Sequence, residues 1–505
     1  MSKLQHSQSR FSLALLVPLV TLFVLGVVLR LVDVTDPPLD FHTSRQLRNS
    51  IVARAIYYEL SPGADEQRSR LAASFANSVG HYEPPVIESL AAATYLMVGG
   101  ESYAVPRFWQ TLFWILAGAA LFDLARRAVS PWAGLAAVAY YMVLPFSVQA
   151  SRSFQPDPLM TSAFVIGIYY LYRWSEDAVD LDVSPRNRSW TWAILAGVFL
   201  GFAVWVKVVI AFLIGACAVA LVLFTLRRDF WKSRQVWAMA FLMVAPAFLY
   251  YVVLHSGRSS DYFTNWSAAL FKLVSSTDFY SKWLAFLGSL FGLTVLFASL
   301  AGAFIATPRL RWLLVSLWIG YLAYGLTLPF QMYTHSYYHI QLIPLIALGL
   351  GVALNPLFEK VSSLDVMGRA AFSALTVAVI GYHAWVARSV LVAQDFRHEP
   401  NVWENIAAAI PEDANVIALT QDYGFRLMYF GWRKVDLWPL NTDLATLKNE
   451  NRDTAARFNQ ITDGNAYFLV TAFGQLNQQP ELRRILDAYP VVDEGDGFVL
   501  YDLRH

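Results

Sequence analysis

The sequence predicts a polytopic α-helical membrane protein of about eleven transmembrane helices, with a small α/β extramembrane domain at its C-terminal end. Three observations predict it. Of 505 residues, 56% are hydrophobic and only 15% charged, a composition outside that of ordinary soluble domains. Apolar runs long enough to cross about 30 Å of hydrocarbon recur along the chain. Beyond residue 397 those runs stop, and shorter strand-like and helix-like patterns alternate.

The first run, Phe11–Val28, follows Lys3 and Arg10 as a signal peptide would. Arg30 and Asp33 come next and no small-residue cleavage site follows, so it reads as an uncleaved helix over 11–32. Further crossings are predicted at 106–125, 130–149, 158–174, 190–206, 208–226, 235–255, 283–305, 310–330, 338–354 and 370–391. The stretch around Lys207 is too long for one crossing and reads as two helices with a turn at the lysine; one long helix with a buried lysine is the rival. With the N-terminus inside, the inner segments hold fifteen Lys and Arg and the short outer loops five, the asymmetry expected of cytoplasmic loops. An odd number of crossings then places the C-terminus outside.

This layout predicts a membrane domain over 1–397, including an outer loop at 33–105, and a soluble α/β domain over 398–505 on the outer face. In the latter, NVWENIAAAI, the stretch from Asp443 to Ile461 and PELRRILDAY have helical spacing, whereas NVIALT, AYFLVTAF and GFVLYDL read as strands. The formal net charge of +1 argues against a nucleic-acid partner, which needs a concentrated basic face to release counterions. Cys217, the single cysteine, sits in an apolar run and reads as a small core residue, with no disulfide available to it.

Candidate chemistry gathers at the outer edge of the predicted spans. Asp40, in DPPLDFHTSRQ directly after the first span, either takes a proton from an acceptor hydroxyl at the membrane surface or caps the helix starting at Thr43 or Ser44. In HYEPP, the proline pair sets His81 and Glu83 before a helix start, where a phosphate or divalent cation could bind, or where Glu83 is an ordinary first-turn residue. Asp157, in SRSFQPDPLM, pairs with Arg152 to position an acceptor or caps the fourth span. Lys207 either snorkels or meets a phosphate. His335 and His339, four apart in HSYYHIQLIP, share a face if the helix begins early, and with Glu83 they are candidate metal ligands; an anchoring aromatic belt is the plainer reading.

These segments together, DPPLDFHTSRQ, HYEPP with the run that follows it, SRSFQPDPLM, WVK and HSYYHIQLIPLIAL, resemble the C-type glycosyltransferase superfamily. The likeness is to its protein-mannosyltransferase and lipid A aminoarabinose-transferase branch, and it spans most of the membrane region. The resemblance implies transfer of a sugar, hexosyl or pentosyl, from a polyprenyl-phosphate-linked donor to a lipid, glycan or protein acceptor. It implies inversion at the anomeric carbon, with Asp40 matching the family's base, Asp157 its second acid, Lys207 its phosphate-contacting lysine and Glu83 the acid of its Glu-Lys-Pro-Pro motif. The lysine of that motif is absent here, and Phe41 follows Asp40 where the family has a second acid, which weighs against a metal mode built on adjacent acids.

The expected mechanism has Asp40 and Asp157 as catalytic residues and Lys207, Arg45, Arg152 and Glu83 on the donor phosphate. His81, Glu83, His335 and His339 are the residues open to a metal or donor contact; no cofactor is assigned, and a divalent ion is left open. The expected location is the cell inner membrane, spanned many times among its lipids, with the N-terminus cytoplasmic and the tail periplasmic or extracellular. A transporter or flippase is the rival class, although transporters tend to show repeated halves and midplane charges, and no repeat is visible here. A scaffold whose tail recruits partners would leave the outer-edge acids without a task.

Overall fold

The computed structural model describes residues 13–80, 82–179, 186–255, 268–446 and 453–504. Every predicted apolar run falls on helix. The elements are α1 (Leu13–Leu31), α2 (Thr43–Leu60), α3 (Glu66–Ser78), α4 (Val86–Val98), α5 (Ala104–Ala128), α6 (Pro131–Val143), α7 (Pro145–Ser151) and α8 (Pro156–Val179). They continue as α9 (Arg186–Val206), α10 (Ala211–Leu226), α11 (Arg234–Phe248), α12 (Thr277–Phe291), α13 (Leu293–Ile305), α14 (Pro308–Thr327), α15 (Leu342–Ser362) and α16 (Val366–Leu391). Among the described residues seven helices are long and apolar enough to cross a membrane, or up to nine if two bent pairs each count as one span. The chain is a multi-pass membrane protein. The other two predicted crossings lie on α1, whose described apolar stretch is shorter, and on α8, which carries Asp157, Arg173, Glu176 and Asp177.

Local chemistry sets the breaks. Leu144, ahead of Pro145, leaves the α region at φ −53°, ψ 125°, as a residue before proline is driven to do, and α6 and α7 meet at 63°. The run expected as one crossing over 283–305 instead turns by 95° at Gly292, whose φ of +80° suits glycine. The stretch around Lys207 divides as expected: α9 ends at Val206, Lys207 is extended at φ −156°, ψ 112°, and one 3-10 turn leads into α10.

Two compact units result. The first comprises Met1–Val34, His81–Ile87 and Ala104–Ala393, and the second Thr35–Gly80, Glu88–Tyr103 and Gln394–His505. In the first, α9 packs between α8 and α11, α10 lies on α14, and α13 on α15. The α13–α15 approach is so close that a Cβ at Gly302 would run into the Gly349 carbonyl, the small-residue contact that lets membrane helices meet backbone to backbone.

The second unit is built on a five-stranded sheet of order β2-β1-β3-β5-β4, from β1 (Val416–Leu419), β2 (Asp436–Leu437), β3 (Tyr467–Val470), β4 (Val491–Gly495) and β5 (Phe498–Asp502). The pairs β1–β2 and β1–β3 are parallel, with Val416 opposite Tyr467, and β3–β5 and β4–β5 are antiparallel. The strand pattern alternates between two cores. Val416, Ala418, Tyr467, Leu469 and Leu500 face a layer containing Leu47, Ile51 and Val52 of α2, with Phe75 of α3 and Trp403. Ile417, Leu419, Phe468 and Val470 face Trp438, Phe458, Leu482 and Leu486. Predicted tail helices appear at Glu399–Ala409 and Pro480–Leu486; the stretch from Asp443 to Ile461 meets helices at Asn441–Thr446 and Thr454–Thr462, with 447–452 outside the described residues; β2 and β4 were not foreseen.

Candidate active site

In the helical unit, the extended backbone at Lys207 turns its side chain inward, and the residue is 5% exposed. A lone ammonium there would be costly to desolvate, and carboxylates offset that cost. Lys207 Nζ donates to Asp157 Oδ1 at 2.7 Å and Oδ2 at 2.9 Å, and Glu83 Oε1 lies 4.0 Å away. Tyr337 and Tyr338 cover the same ammonium, with ring centroids 4.9 and 5.2 Å from Nζ, so it sits against two π faces as well as two acids. Tyr338 in turn stacks on the fully buried Tyr324 at 6.2 Å. One cation and two acids that converge in this way can hold the cation rigidly and present it to an anion.

Four sequence expectations meet different surroundings in this unit. Asp157 sits in the first turn of α8 and pairs with Lys207, where Arg152 had been expected. Arg152, 1% exposed, instead donates to the carbonyls of Arg30, Val32 and Asp33; Arg107 joins it on Asp33 and Val34. The last carbonyls of a helix have no partner within it; Arg152 supplies one for Arg30 of α1, and both guanidiniums hold the carbonyls of the turn that follows. His335 and His339 do not share an α-helical face: 336–339 is a 3-10 turn, His335 is extended, and α15 starts only at Leu342. His339 is fully buried, its Nε2 at 3.0 Å from the Met332 carbonyl and its Nδ1 at 2.7 Å from Tyr321 Oη, which also accepts from Trp283 Nε1. An Nε2 that faces a carbonyl must carry the proton, so Nδ1 accepts from the tyrosine and no lone pair is left for a metal. Burial pushes the His339 pKa down to about 3. His335 is partly exposed and sits 2.7 Å from Thr334 Oγ1, and His81 lies outside the described residues. Among the described residues no three His, Cys, Asp or Glu side chains gather to hold a metal.

In the sheet-bearing unit, Asp40 lies in the turn ahead of α2. Its neighbours Leu39 and Phe41 are buried while Asp40 is only partly so. The N-cap of α2 is His42, left-handed at φ 48°, with no side-chain cap, so Asp40 does not cap this helix. Its Oδ1 accepts from Gln46 Nε2 at 3.0 Å. Arg45 occupies the first turn of α2, its N–H on the His42 carbonyl. Elsewhere in the unit, Arg54 lies between the rings of Tyr429 and Trp432, 3.9 and 4.4 Å from their centroids, and donates to Glu101 at 2.9 Å.

Sequence spacing could not reveal the tyrosine pair over Lys207, because 130 positions separate them; Tyr337 and Tyr338 read only as an interfacial belt. Gln46 stood inside the quoted motif without a role. A donor six residues beyond a turn carboxylate was the signal available.

Comparison with known proteins bears out the resemblance. Residues 82–252 match the family model described as dolichyl-phosphate-mannose-protein mannosyltransferase. A search of curated proteins finds no match. Among solved structures, ArnT from Cupriavidus metallidurans bound to undecaprenyl phosphate superposes with a TM-score of 0.59 at 14% identity, over 96% of this chain and 97% of that one. The archaeal oligosaccharyltransferase AglB from Archaeoglobus fulgidus, in complex with an inhibitory peptide and a dolichol-phosphate, gives 0.60 at 12% identity over 91% and 69%. Another structure of the Archaeoglobus protein is a complex with Zn and sulfate, at 0.52 and 13% over 90% and 68%. The chain therefore has the fold of these C-type glycosyltransferases, and its 82–252 segment carries the mannosyltransferase family's sequence pattern.

Proposed function

We propose that this protein transfers a sugar, hexosyl or pentosyl, from a polyprenyl-phosphate-linked donor to an acceptor hydroxyl with inversion. The reaction takes place on the non-cytoplasmic side of the inner membrane, with the N-terminus cytoplasmic. The observation that carries the reading is Lys207, buried at a helix break and fixed by Asp157, Glu83 and two tyrosines. A preorganised cation is what a departing phosphate requires, since negative charge builds on its bridging oxygen as the bond to the anomeric carbon breaks.

In this mechanism Asp40 takes the proton of the acceptor hydroxyl as its oxygen attacks the anomeric carbon, and the lipid phosphate leaves with the electron pair of the broken bond. Asp157 and Glu83 act through Lys207, setting its position. With one ammonium between two carboxylates the trio is not net positive, so the phosphate calls on further positive charge. Arg45 is assigned that part, and a divalent ion is the other source to test. Arg152 serves the end of α1.

Purified protein in nanodiscs, presented with a panel of radiolabelled polyprenyl-phosphate sugars and candidate acceptors, tests this directly. Wild type is expected to consume one donor, and Asp40→Asn none while remaining folded. Full transfer by Asp40→Asn removes the base assignment. No transfer by folded wild type from any donor, with lipid movement in a flux assay, replaces the reading with a flippase.

A further inference from the structure

A carboxylate that is to act as a base must point in one direction and remain ionised, and backbone alone does neither. The turn carrying Asp40 is unusually well braced for a chain of ordinary residues. Leu39 N donates to the Pro37 carbonyl at 2.7 Å, and Thr43 Oγ1 donates to the Leu39 carbonyl at 2.9 Å. The N–H groups of Arg45 and Gln46 both reach the carbonyl of His42, itself held left-handed. Buried Leu39 and Phe41 anchor the turn on either side of Asp40. At its centre is Gln46, with no exposed surface: one Nε2 donates to Asp40 Oδ1 at 3.0 Å and to the Phe41 carbonyl at 2.8 Å.

We infer that Gln46 is the positioning residue for Asp40, an inference that rests on the base reading above. Its amide nitrogen has two hydrogens, and the structure uses one on the carboxylate and one on the backbone next to it, which ties the plane of the carboxylate to the turn. The donor is neutral. An amide stabilises the ionised carboxylate without neutralising it, whereas a lysine or arginine there would pair with it and lower its basicity. Ser50 Oγ donates to the Gln46 carbonyl at 2.9 Å, so the glutamine backbone is held from the next turn of α2 as well.

A brace of the turn alone and a positioning residue for the base predict different pH behaviour. The measurement is the pH dependence of kcat/KM for transfer in nanodiscs by wild type, Gln46→Ala and Gln46→Glu, with Asp40→Asn as reference and each profile scaled to its own plateau, so that partial folding alters amplitude and not shape. Gln46→Glu, close to isosteric, sets a second carboxylate beside Asp40, and the acid limb is expected to rise by about one pH unit or more, the pair titrating together. Gln46→Ala removes a hydrogen bond to a charged group, which is expected to raise the limb by less and to lower kcat about tenfold with the donor KM unchanged. Limbs coincident with wild type in both variants overturn the inference and leave Gln46 a structural brace. If Gln46→Ala does not accumulate, Gln46→Glu decides alone. Full activity of Asp40→Asn instead removes the base reading itself, whereas an inactive Asp40→Asn with unmoved glutamine variants removes only this inference.

Discussion

Asp40 and Asp157 are carboxylates beside helix starts, yet their surroundings differ. Asp157 is 1% exposed and gives both oxygens to one ammonium, which Glu83 also approaches. Asp40 is partly exposed, and the partner on its Oδ1 is a neutral amide. A carboxylate bound through both oxygens to a buried lysine is committed to that pair, and removing either partner strands a charge. Under the mechanism proposed above, the contrast gives holding to Asp157 and proton transfer to Asp40 as the roles to test.

The largest expected effect falls on Asp40. Asp40→Asn should reduce transfer by about a thousandfold, within the range of general-base contributions, with the thermal unfolding of the purified protein unchanged. A matching loss of stability would erase the contrast with Asp157. Next comes Asp157→Asn, which leaves the Lys207 ammonium buried and should cost about 3–5 kcal/mol of stability along with transfer, read by thermal unfolding or protease resistance. Combining Asp157→Leu with Lys207→Met should recover most of that stability and none of the transfer. If the double variant is as unstable as the singles, the stranded charge is not what the single substitutions cost. In the sheet-bearing unit, Arg54→Lys loses the planar stacking between Tyr429 and Trp432 and should cost about 2 kcal/mol, with transfer retained under conditions where the variant is folded.

The last prediction concerns pH. His339 is held neutral with its pKa down to about 3, against an ordinary value of about 6.5 in the unfolded chain, so below 6.5 the unfolded state binds the extra proton. Its contribution to stability is complete above pH 6.5 and declines as pH falls from there toward 3, by up to about 1.4 kcal/mol per unit. Comparing thermal unfolding of wild type and His339→Gln at pH 7.5 and 5 checks this; equal acid sensitivity in the two rejects it.

Much of the helical layout was legible because a bilayer imposes a length on apolar runs, and Lys207 was legible as a lysine that interrupts one. The 95° turn at Gly292 was not, since hydropathy averages carry no dihedral angle. Asp40 and Asp157 were singled out from their motifs, but their partners were not: Asp157 was matched to Arg152, five residues away, whereas Lys207 reaches it from 50 residues away. Arg152 looked like a phosphate ligand because unpaired carbonyls at the end of α1 leave no trace in composition. The histidines suggested an early helix, and the extended residue His335 prevents it. The shared core of the first loop and the tail had no periodic signature either, because it forms between segments at opposite ends of the chain.

That shared core bears on biogenesis. During synthesis α2 and α3 are made early, and the strands that cover Leu47, Ile51 and Phe75 are made only after all the membrane helices that separate the two segments. Until the Trp403 helix and the strands that carry Val416, Tyr467 and Leu500 are in place, this apolar layer lacks its native cover. A chain cut before those strands would leave this layer without them, so the loop that begins with the Asp40 turn is completed only after the membrane helices have been made.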